Sequence, residues 1–200
     1  EKVFPRFVDI ARWIGIIYLL FTILLFFLLL IGEMDWFDSI NHSFATMSTG
    51  GYSTKNTSIS QFSAYSQYIV TLFMLLASIS FSSYIYIFKG EGKKILKNEE
   101  IKSYLIIISL TTLIATFFNA LSSNFQSLEE AFRHSIFQIV SIISTTGFVT
   151  HDYTFWSYPA FFVVIFVMLT GGTSGSTAGG IKIGRILLFV KNFFVYLKKM

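Results

Sequence analysis

The sequence predicts an all-α membrane protein made of two tandem repeats, each consisting of a helix, a re-entrant pore loop and a second helix. Three observations favour this fold class. The chain contains several uncharged apolar runs of membrane-spanning length. It repeats one polar string after 96 positions. Its last apolar run is interrupted by a glycine-rich string, as in membrane helices that are broken at a functional site.

The apolar runs exclude an ordinary soluble domain. Of the 200 residues, 54% are hydrophobic and 13% are charged, against about 25% charged in a typical soluble protein. Residues 14–31, 69–88 and 103–120 carry no charge, and each run has roughly the 17–25 residues that cross a bilayer. A soluble core of this size would not need three such runs. The first run is also too long for a signal peptide, and no cleavage site follows it.

Two short strings define the repeat. STGGYST (residues 48–54) and STTGFVT (residues 144–150) are separated by 96 positions, and each follows a short amphipathic helix, at about residues 38–47 and 128–143. The pattern predicts a first repeat over residues 1–90, a basic link over 91–102 and a second repeat over 103–200. The same offset pairs identical residues, namely Glu33 with Glu129, Ser39 with Ser135, Ile40 with Ile136, Ser48 with Ser144, Thr49 with Thr145 and Thr54 with Thr150.

The basic residues predict an orientation. Lysines and arginines crowd the start, the link and the end of the chain, whereas only Lys55 and Arg133 lie in the segments that carry the loops. The positive-inside rule then places both termini and residues 89–102 in the cytoplasm, with the loops facing outward. The acidic residues Asp35, Asp38 and Glu129 would either attract cations at the outer mouth or cap helices. The net charge of +4 is explained by the cytoplasmic rims, so we expect no nucleic-acid partner.

The repeated strings have the composition of an ion filter. Backbone carbonyls can replace the hydration shell of a cation when they converge on one axis, and Gly51 and Gly147 supply the unusual dihedral angles that this requires. The preceding short helices would aim their partly negative C-terminal ends at the ion. We expect the rings of Tyr52 and Phe148 to pack behind the strands. The candidate ion-binding residues are Thr49, Gly50, Gly51, Tyr52, Thr145, Thr146, Gly147 and Phe148.

These motifs resemble a known family. STGGYST, VSIISTTGFVT (residues 140–150) and GGTSGSTAGGIK (residues 171–182) are similar to strings of the Trk/Ktr/HKT superfamily of potassium transporters, in particular its bacterial membrane subunits. The resemblance implies four repeats around one pore, with Gly51 in the second and Gly147 in the third. It implies potassium uptake across the inner membrane. A sodium-permeable or sodium-coupled member and an organic-solute transporter, with Asn119 as its main polar candidate, are the alternatives.

The glycine-rich string has a separate role in that family, as an intramembrane gate beneath the filter. A phosphate-binding loop is the rival interpretation, but Ile181 interrupts its pattern and neither Ser nor Thr follows Lys182. Lys182 and Arg185 would repel cations or anchor the segment. The candidate gate residues are Gly171, Gly172, Ser174, Gly175, Ser176, Thr177, Gly179 and Gly180.

Two filter strands cannot enclose an ion, so we expect two further strands from elsewhere. The chain is either part of a longer polypeptide, which is the preferred interpretation, or it pairs with a second copy. The resemblance also implies a homodimer and a cytoplasmic nucleotide-binding regulatory subunit, for which Lys93, Lys94 and Lys97 are candidate contacts; anionic lipid is the alternative partner of these lysines. The chain has no cysteine and no nucleophile–base set, so we expect neither an enzyme nor a cofactor. Potassium, held by carbonyls alone, is the expected ligand.

Overall fold

Helices make up nearly all of the regular structure. The protein is described from a computed structural model, which covers residues 7–88, 90–122 and 125–199. Across these residues the β-structure is a single bridge between Thr170 and Ile181, so the predicted all-α class is confirmed. Lys2, Arg6 and Lys89, which contributed to the orientation prediction, lie outside the described residues. The helices are α1 (Phe7–Ile31), α2 (Trp36–Met47), α3 (Ala64–Ala77), α4 (Phe81–Phe88), α5 (Lys93–Lys97), α6 (Glu99–Leu121), α7 (Leu128–Ile143), α8 (Tyr158–Met168) and α9 (Ile183–Lys199), with a 3-10 turn at Tyr153–Phe155.

Among the described residues, two single helices are long and apolar enough to cross a membrane. Val8–Ile31 has 24 residues with a mean hydropathy of 3.1, and Glu99–Leu121 has 23 residues with a mean hydropathy of 1.9. At 1.5 Å per residue each is roughly 35 Å long, which exceeds a hydrocarbon core of about 30 Å. Both contain a run that the sequence predicts as membrane-spanning, at 14–31 and 103–120.

The middle run, residues 69–88, is not the continuous helix that the sequence predicts. Helix α3 ends at Ala77, α4 begins at Phe81, and the two are bent by 96°. No glycine or proline marks the break. The physical cause is a cluster of serines, whose hydroxyls compete with backbone partners and disfavour the helix interior: the Ser78 hydroxyl bonds the Met74 carbonyl at 2.9 Å, and the Ser80 and Ser82 hydroxyls bond each other at 2.8 Å.

The glycine-rich segment fills this break. Thr173 is fully buried; its amide donates to the Ser78 carbonyl at 2.9 Å, and its hydroxyl accepts from the Ser80 amide at 2.7 Å. The Phe81 amide donates to the Gly175 carbonyl at 3.2 Å. Helix ends leave backbone groups without partners, and within a bilayer those groups need partners from the protein. The break in α3–α4 and the irregular segment therefore satisfy each other.

Helices α2 and α7 are shorter and carry a polar face inward. Helix α2 has 12 residues and buries Asp38, His42 and Thr46 among others, and α7 has 16 residues. Helix α2 packs on α1, and α7 packs on α6 and α3. Neither has the length and hydropathy of a membrane-spanning helix, and they end with the C-caps Ser48 and Ser144, the first residues of the two polar strings.

The last apolar run is interrupted as the sequence predicts. Helix α8 has 11 residues and stops at Met168, and α9 starts at Ile183. The residues between them, 169–182, contain no helix.

Polar contacts join the two halves of the chain where α3 packs on α7. The Arg133 guanidinium donates to the Gln67 side chain and to the Glu129 carboxylate at 3.0 Å. The Tyr68 hydroxyl donates to the same carboxylate at 3.0 Å. These bonds fix the second short helix against the first half, and so set the relative position of the two polar strings.

The role of Thr173 can be tested by an isosteric change. Thr173→Val leaves the buried Ser80 amide without its partner, so we expect the full-length protein to lose about 1–3 kcal/mol of stability. Thr170→Val is the matched control, because the Thr170 hydroxyl bonds only the Val167 carbonyl of its own helix end. Thermal unfolding in detergent measures both, and equal losses would contradict the bridging role.

Candidate functional site

The two polar strings adopt the same turn. The Ser48 amide donates to the Phe44 carbonyl at 3.0 Å, and its counterpart 96 positions later, the Ser144 amide, donates to the Val140 carbonyl at 2.9 Å. The next three amides of each string also bond carbonyls at matching positions of the preceding helix. These bonds are Thr49–Thr46 and Thr145–Ile142, Gly50–Ala45 and Thr146–Ser141, and Gly51–Ala45 and Gly147–Ser141.

The backbone angles match as well. Thr49 and Thr145 have φ of +52° and +56°, and Gly51 and Gly147 have φ of +69° and +88°. Left-handed angles are easy for glycine and rare for a β-branched residue such as threonine. Each turn thus alternates two left-handed residues with a residue of ordinary φ. The same unusual geometry at both copies supports a single role for both.

The structure brings the two turns into contact. A Cβ atom placed on Gly51 would lie 1.8 Å from the Thr146 carbonyl oxygen, so no residue with a side chain fits there unless the backbone moves. At Gly147 a Cβ would meet nothing within 4 Å. The turns therefore lie side by side, with the backbone of the second turn against the glycine of the first.

The helices in front of the turns add a favourable field for cations. Helices α2 and α7 end directly at the turns, with C-caps at Ser48 and Ser144. A helix C-terminus carries roughly half a negative charge. Among the described residues no group of three or more acidic or histidine side chains could hold a metal ion. Both turns thus lie at the partly negative end of a helix.

The rings that flank the turns do not behave alike. Phe148 is fully buried, and its ring lies 5.8 Å from that of His42. Tyr52 is 82% exposed, so the expectation that both rings pack behind the strands is wrong for Tyr52 within this chain. The Tyr52 ring lies beside the backbone of its own turn, with one ring carbon 3.5 Å from a Cβ atom placed on Gly50, and the described residues leave most of its surface uncovered.

Side chains tether the far end of each turn. In the first copy the Thr54 hydroxyl donates to the Asp38 carboxylate at 2.6 Å. In the second copy the partners at the same offset of 96 positions are Thr150 and His134, at 2.9 Å. Asp38 and His134 therefore both bond the threonine at the far end of their turn. The offset pairs Asp38 with His134, but because the two residue types differ, sequence identity between the repeats does not reveal this equivalence.

The two tethers differ in charge. Burial acts to raise the pKa of Asp38, but bonds from Thr54 and Lys55 outweigh burial and leave the pKa below its usual range; the Lys55 ammonium lies 3.1 Å from the carboxylate. Burial, helped by Arg133 and His151, lowers the pKa of His134 to about 4, against the opposing effect of Glu130. The first tether is therefore an anion, and the second is a neutral ring near pH 7.

The glycine-rich segment lies against both turns. The Thr49 hydroxyl donates to the Thr177 carbonyl at 3.0 Å, and the Gly179 amide donates to the Thr145 hydroxyl at 2.6 Å. The left-handed threonine of each turn is thus a contact to the segment. The segment also packs closely on the α3–α4 break, since a Cβ on Gly172 would lie 2.6 Å from the Ser78 carbonyl oxygen.

The remaining residues of the segment close it on itself. The Gly171 amide donates to the Ile181 carbonyl at 2.9 Å, and the Ser176 hydroxyl donates to the Thr173 carbonyl at 2.7 Å. A Cβ on Gly180 would come within 3.3 Å of Gly171. Lys182 points back into the segment, where its ammonium contacts the Ala178 carbonyl. The Ser174 hydroxyl instead donates to the Glu100 carboxylate, outside the segment, at 2.9 Å.

The chain is similar to proteins of known family. The family model described as TrkH, cation transport protein, matches residues 1–199. Trk system potassium uptake protein TrkH of Escherichia coli strain K12 is 32% identical over 208 residues, covering 100% of this chain and 42% of that protein. Trk system potassium uptake protein TrkG of the same strain is 33% identical over 193 residues, covering 96% of this chain and 40% of that protein.

A solved structure matches as well. The crystal structure of the potassium transporter TrkH from Vibrio parahaemolyticus has a TM-score of 0.92 and 31% identity, covering 98% of this chain and 42% of that one. The chain therefore spans about two-fifths of the length of the relatives that it matches.

The contact between the turns gives a steric prediction. Gly51→Ala places a methyl group on the Thr146 carbonyl, so we expect the full-length protein to fold poorly and to elute as aggregate in size-exclusion chromatography. The matched control is Gly90→Ala. Gly90 has φ of +73° but open space around it, so its substitution should cost only about 1–2 kcal/mol of backbone strain. Similar behaviour of the two variants would show that the turns do not touch.

The tether of the second turn gives a pH prediction. Because the pKa of His134 is about 4 in the folded protein and near 6.5 in an unfolded chain, the unfolded state takes up this proton first as the pH falls. Stability contributed by the neutral ring is present above pH 6.5 and declines by about 3 kcal/mol by pH 4. Unfolding curves of the full-length protein from pH 7.5 to 4 measure the slope. His134→Gln should flatten it, whereas the neighbouring His151→Gln should change it less, because His151 is only a secondary cause of the lowered pKa of His134; an unchanged slope in His134→Gln would refute the assignment.

Proposed function

Because the chain belongs to the TrkH family of cation transport proteins, we propose that it supplies two of four filter strands and the gate of a potassium-uptake pore. The observation that carries the proposal is the pair of equivalent turns that touch at Gly51 and Thr146. The names of the relatives support potassium as the ion. The rest of the longer polypeptide would supply the remaining two strands.

The turns would act as a selectivity filter. A cation that enters them exchanges water for carbonyl oxygens, and two helix ends directed at the same place favour positive charge. Thr49, Gly50 and Gly51 form the first strand, and Thr145, Thr146 and Gly147 the second. Each strand has one glycine in the left-handed region at its far end, so the number of well-formed ion sites would be small. Weak binding of this kind allows the ion to leave.

The glycine-rich segment would act as the gate. It spans the ends of both turns through Thr177 and Gly179, so an ion leaving the filter meets it directly. Two hydrogen bonds to the turns and those to the α3–α4 break hold it there. Opening would require these bonds to be exchanged for others, and the glycines of the segment allow alternative backbone states.

The membrane potential would supply the driving force. A potential of 100 mV, negative inside, is worth about 2.3 kcal/mol for each charge that crosses. Uptake of a monovalent cation then needs no covalent chemistry. With the orientation that the basic residues predict, potassium enters at the turns and passes the glycine-rich segment toward the cytoplasm.

The link between the repeats would be the regulatory surface. Lys93, Lys94 and Lys97 lie on the short helix α5, and Lys94 pairs with Glu91 at 2.7 Å. A cytoplasmic nucleotide-binding subunit and a second copy of the transporter are the partners that this proposal includes. The α3–α4 bend, next to the link, gives such a partner a route to the segment that fills the bend.

An organic solute is a weaker candidate as the transported species. Asn119, its main polar candidate, is fully buried and donates to the Ser135 hydroxyl at 3.2 Å. That bond joins α6 to α7 as a packing contact. The preference for potassium over sodium would depend on the fine geometry of the strands. The experiment below measures that preference.

Ion uptake with a filter variant tests the proposal. Potassium-deficient cells that express the full-length polypeptide should accumulate radiolabelled rubidium, and Gly147→Ser should lower the preference for potassium over sodium by about tenfold, since an added side chain disturbs one strand of the coordination shell. Gly90→Ser is the control, because Gly90 has a similar φ but lies outside the turns. No rubidium uptake, or an unchanged preference in Gly147→Ser at normal expression, would count against the filter.

A further inference from the structure

A single carboxylate contacts the glycine-rich segment at Ser174, whereas the two turns contact it at Thr177 and Gly179. Glu100 lies in the first turn of α6, directly after the basic link. One of its oxygens, Oε1, accepts from the Ser174 amide at 2.6 Å and from the Ser174 hydroxyl at 2.9 Å. The same oxygen accepts from the Gly184 amide at 3.0 Å. These contacts span 74 and 84 positions of sequence.

The residues around the Glu100 carboxylate favour a negative charge and leave room for it. Gly184 lies in the first turn of α9, where amides lack helical partners and a negative charge is favoured. A Cβ on Gly184 would lie 2.9 Å from Glu100 Oε1 and 3.1 Å from the Ser174 hydroxyl oxygen. Glycine is therefore what lets the carboxylate approach. Glu100 thus binds the segment and the helix that follows it at the same point.

The neighbouring acid does not share this role. Glu99 pairs with Lys191 on α9, and both side chains are more than half exposed. Exposed pairs contribute little to stability. Glu99 is therefore a suitable control for Glu100, because Glu100 contacts the segment whereas Glu99 pairs with the exposed Lys191 of α9.

The basic link lies next to Glu100 in the chain. Helix α5 ends at Lys97, and Asn98 caps α6 by accepting from the Glu100 amide at 2.9 Å. Helix α5 packs on α4 and α6. A displacement of the link would therefore move the start of α6, and with it the carboxylate.

From these contacts we infer that Glu100 is a positioning residue that latches the glycine-rich segment across the turns, and that movement of the basic link releases it. This inference rests on the proposed gate function and adds its regulation. Breaking the latch frees Ser174 and the start of α9 together, so the whole segment between them gains freedom to leave the ion path.

Cysteine labelling and flux together test the latch. The chain contains no cysteine, so Ala178→Cys, in a full-length background without other cysteines, reports on the segment, since Ala178 is buried. Glu100→Ala should raise both the rate of labelling by a thiol reagent and rubidium flux by about tenfold. Glu100→Gln should have a smaller effect, because it keeps an oxygen acceptor but loses the charge that roughly doubles the strength of such bonds. Glu99→Ala should leave both rates unchanged.

The outcomes separate the latch from the gate. Faster labelling without faster flux supports the latch and contradicts the proposed gate. Unchanged labelling in Glu100→Ala overturns the latch, whatever the flux, and so does an equal effect in Glu99→Ala. If Glu100→Ala fails to fold, Ser174→Ala removes one of the three bonds and should give the same signs at lower amplitude; unchanged labelling there also overturns the latch. Absence of rubidium uptake by the full-length protein without the Glu100 substitution would contradict the proposed function. The labelling rate would still test the role of Glu100.

Discussion

The need to pair every backbone amide and carbonyl inside a membrane governs this structure. The glycine-rich segment has no helical bonds of its own, and α3 and α4 each end with free backbone groups. Thr173 and the Gly175 carbonyl connect the two irregular regions, so neither break would be stable without the other. The same constraint explains why both turns bond back to their own helices. If the glycine-rich segment is the proposed gate, its opening would be limited to motions that exchange one set of these bonds for another.

The two copies of the turn share a backbone but not their supporting side chains. Asp38 and His134 hold equivalent threonines, one as an anion beside Lys55 and the other as a neutral ring. The Lys55 ammonium, 3.1 Å from the Asp38 carboxylate, offsets that negative charge, and the neutral ring of His134 needs no counter-ion. Each tether therefore holds its threonine without an unpaired charge of its own.

The sequence predicts most of this structure where the signal is periodic or repeated. The long apolar runs gave α1 and α6, and the offset of 96 positions aligned the turns residue by residue. The break after Ala77 was missed, because serines in an apolar run look like ordinary membrane-helix residues. The Glu100 contacts were missed for a different reason: bonds across 74 and 84 positions leave no local pattern. Gly184 was the available signal, as a glycine in the first turn of an amphipathic helix, but its meaning depends on a carboxylate far away in sequence.

Thr49 and Thr145 show how the filter and the gate would depend on one another. A β-branched residue in the left-handed region costs on the order of 1–3 kcal/mol and persists only when its surroundings hold it there. At both positions the hydroxyl bonds the glycine-rich segment, so the segment helps to hold the strained turn. When the segment leaves, each threonine loses that support and the turn loses part of what fixes its carbonyls. Ion selectivity and gate position are then properties of one bonded unit, and a variant that loosens the segment should also loosen the coordination of the ion.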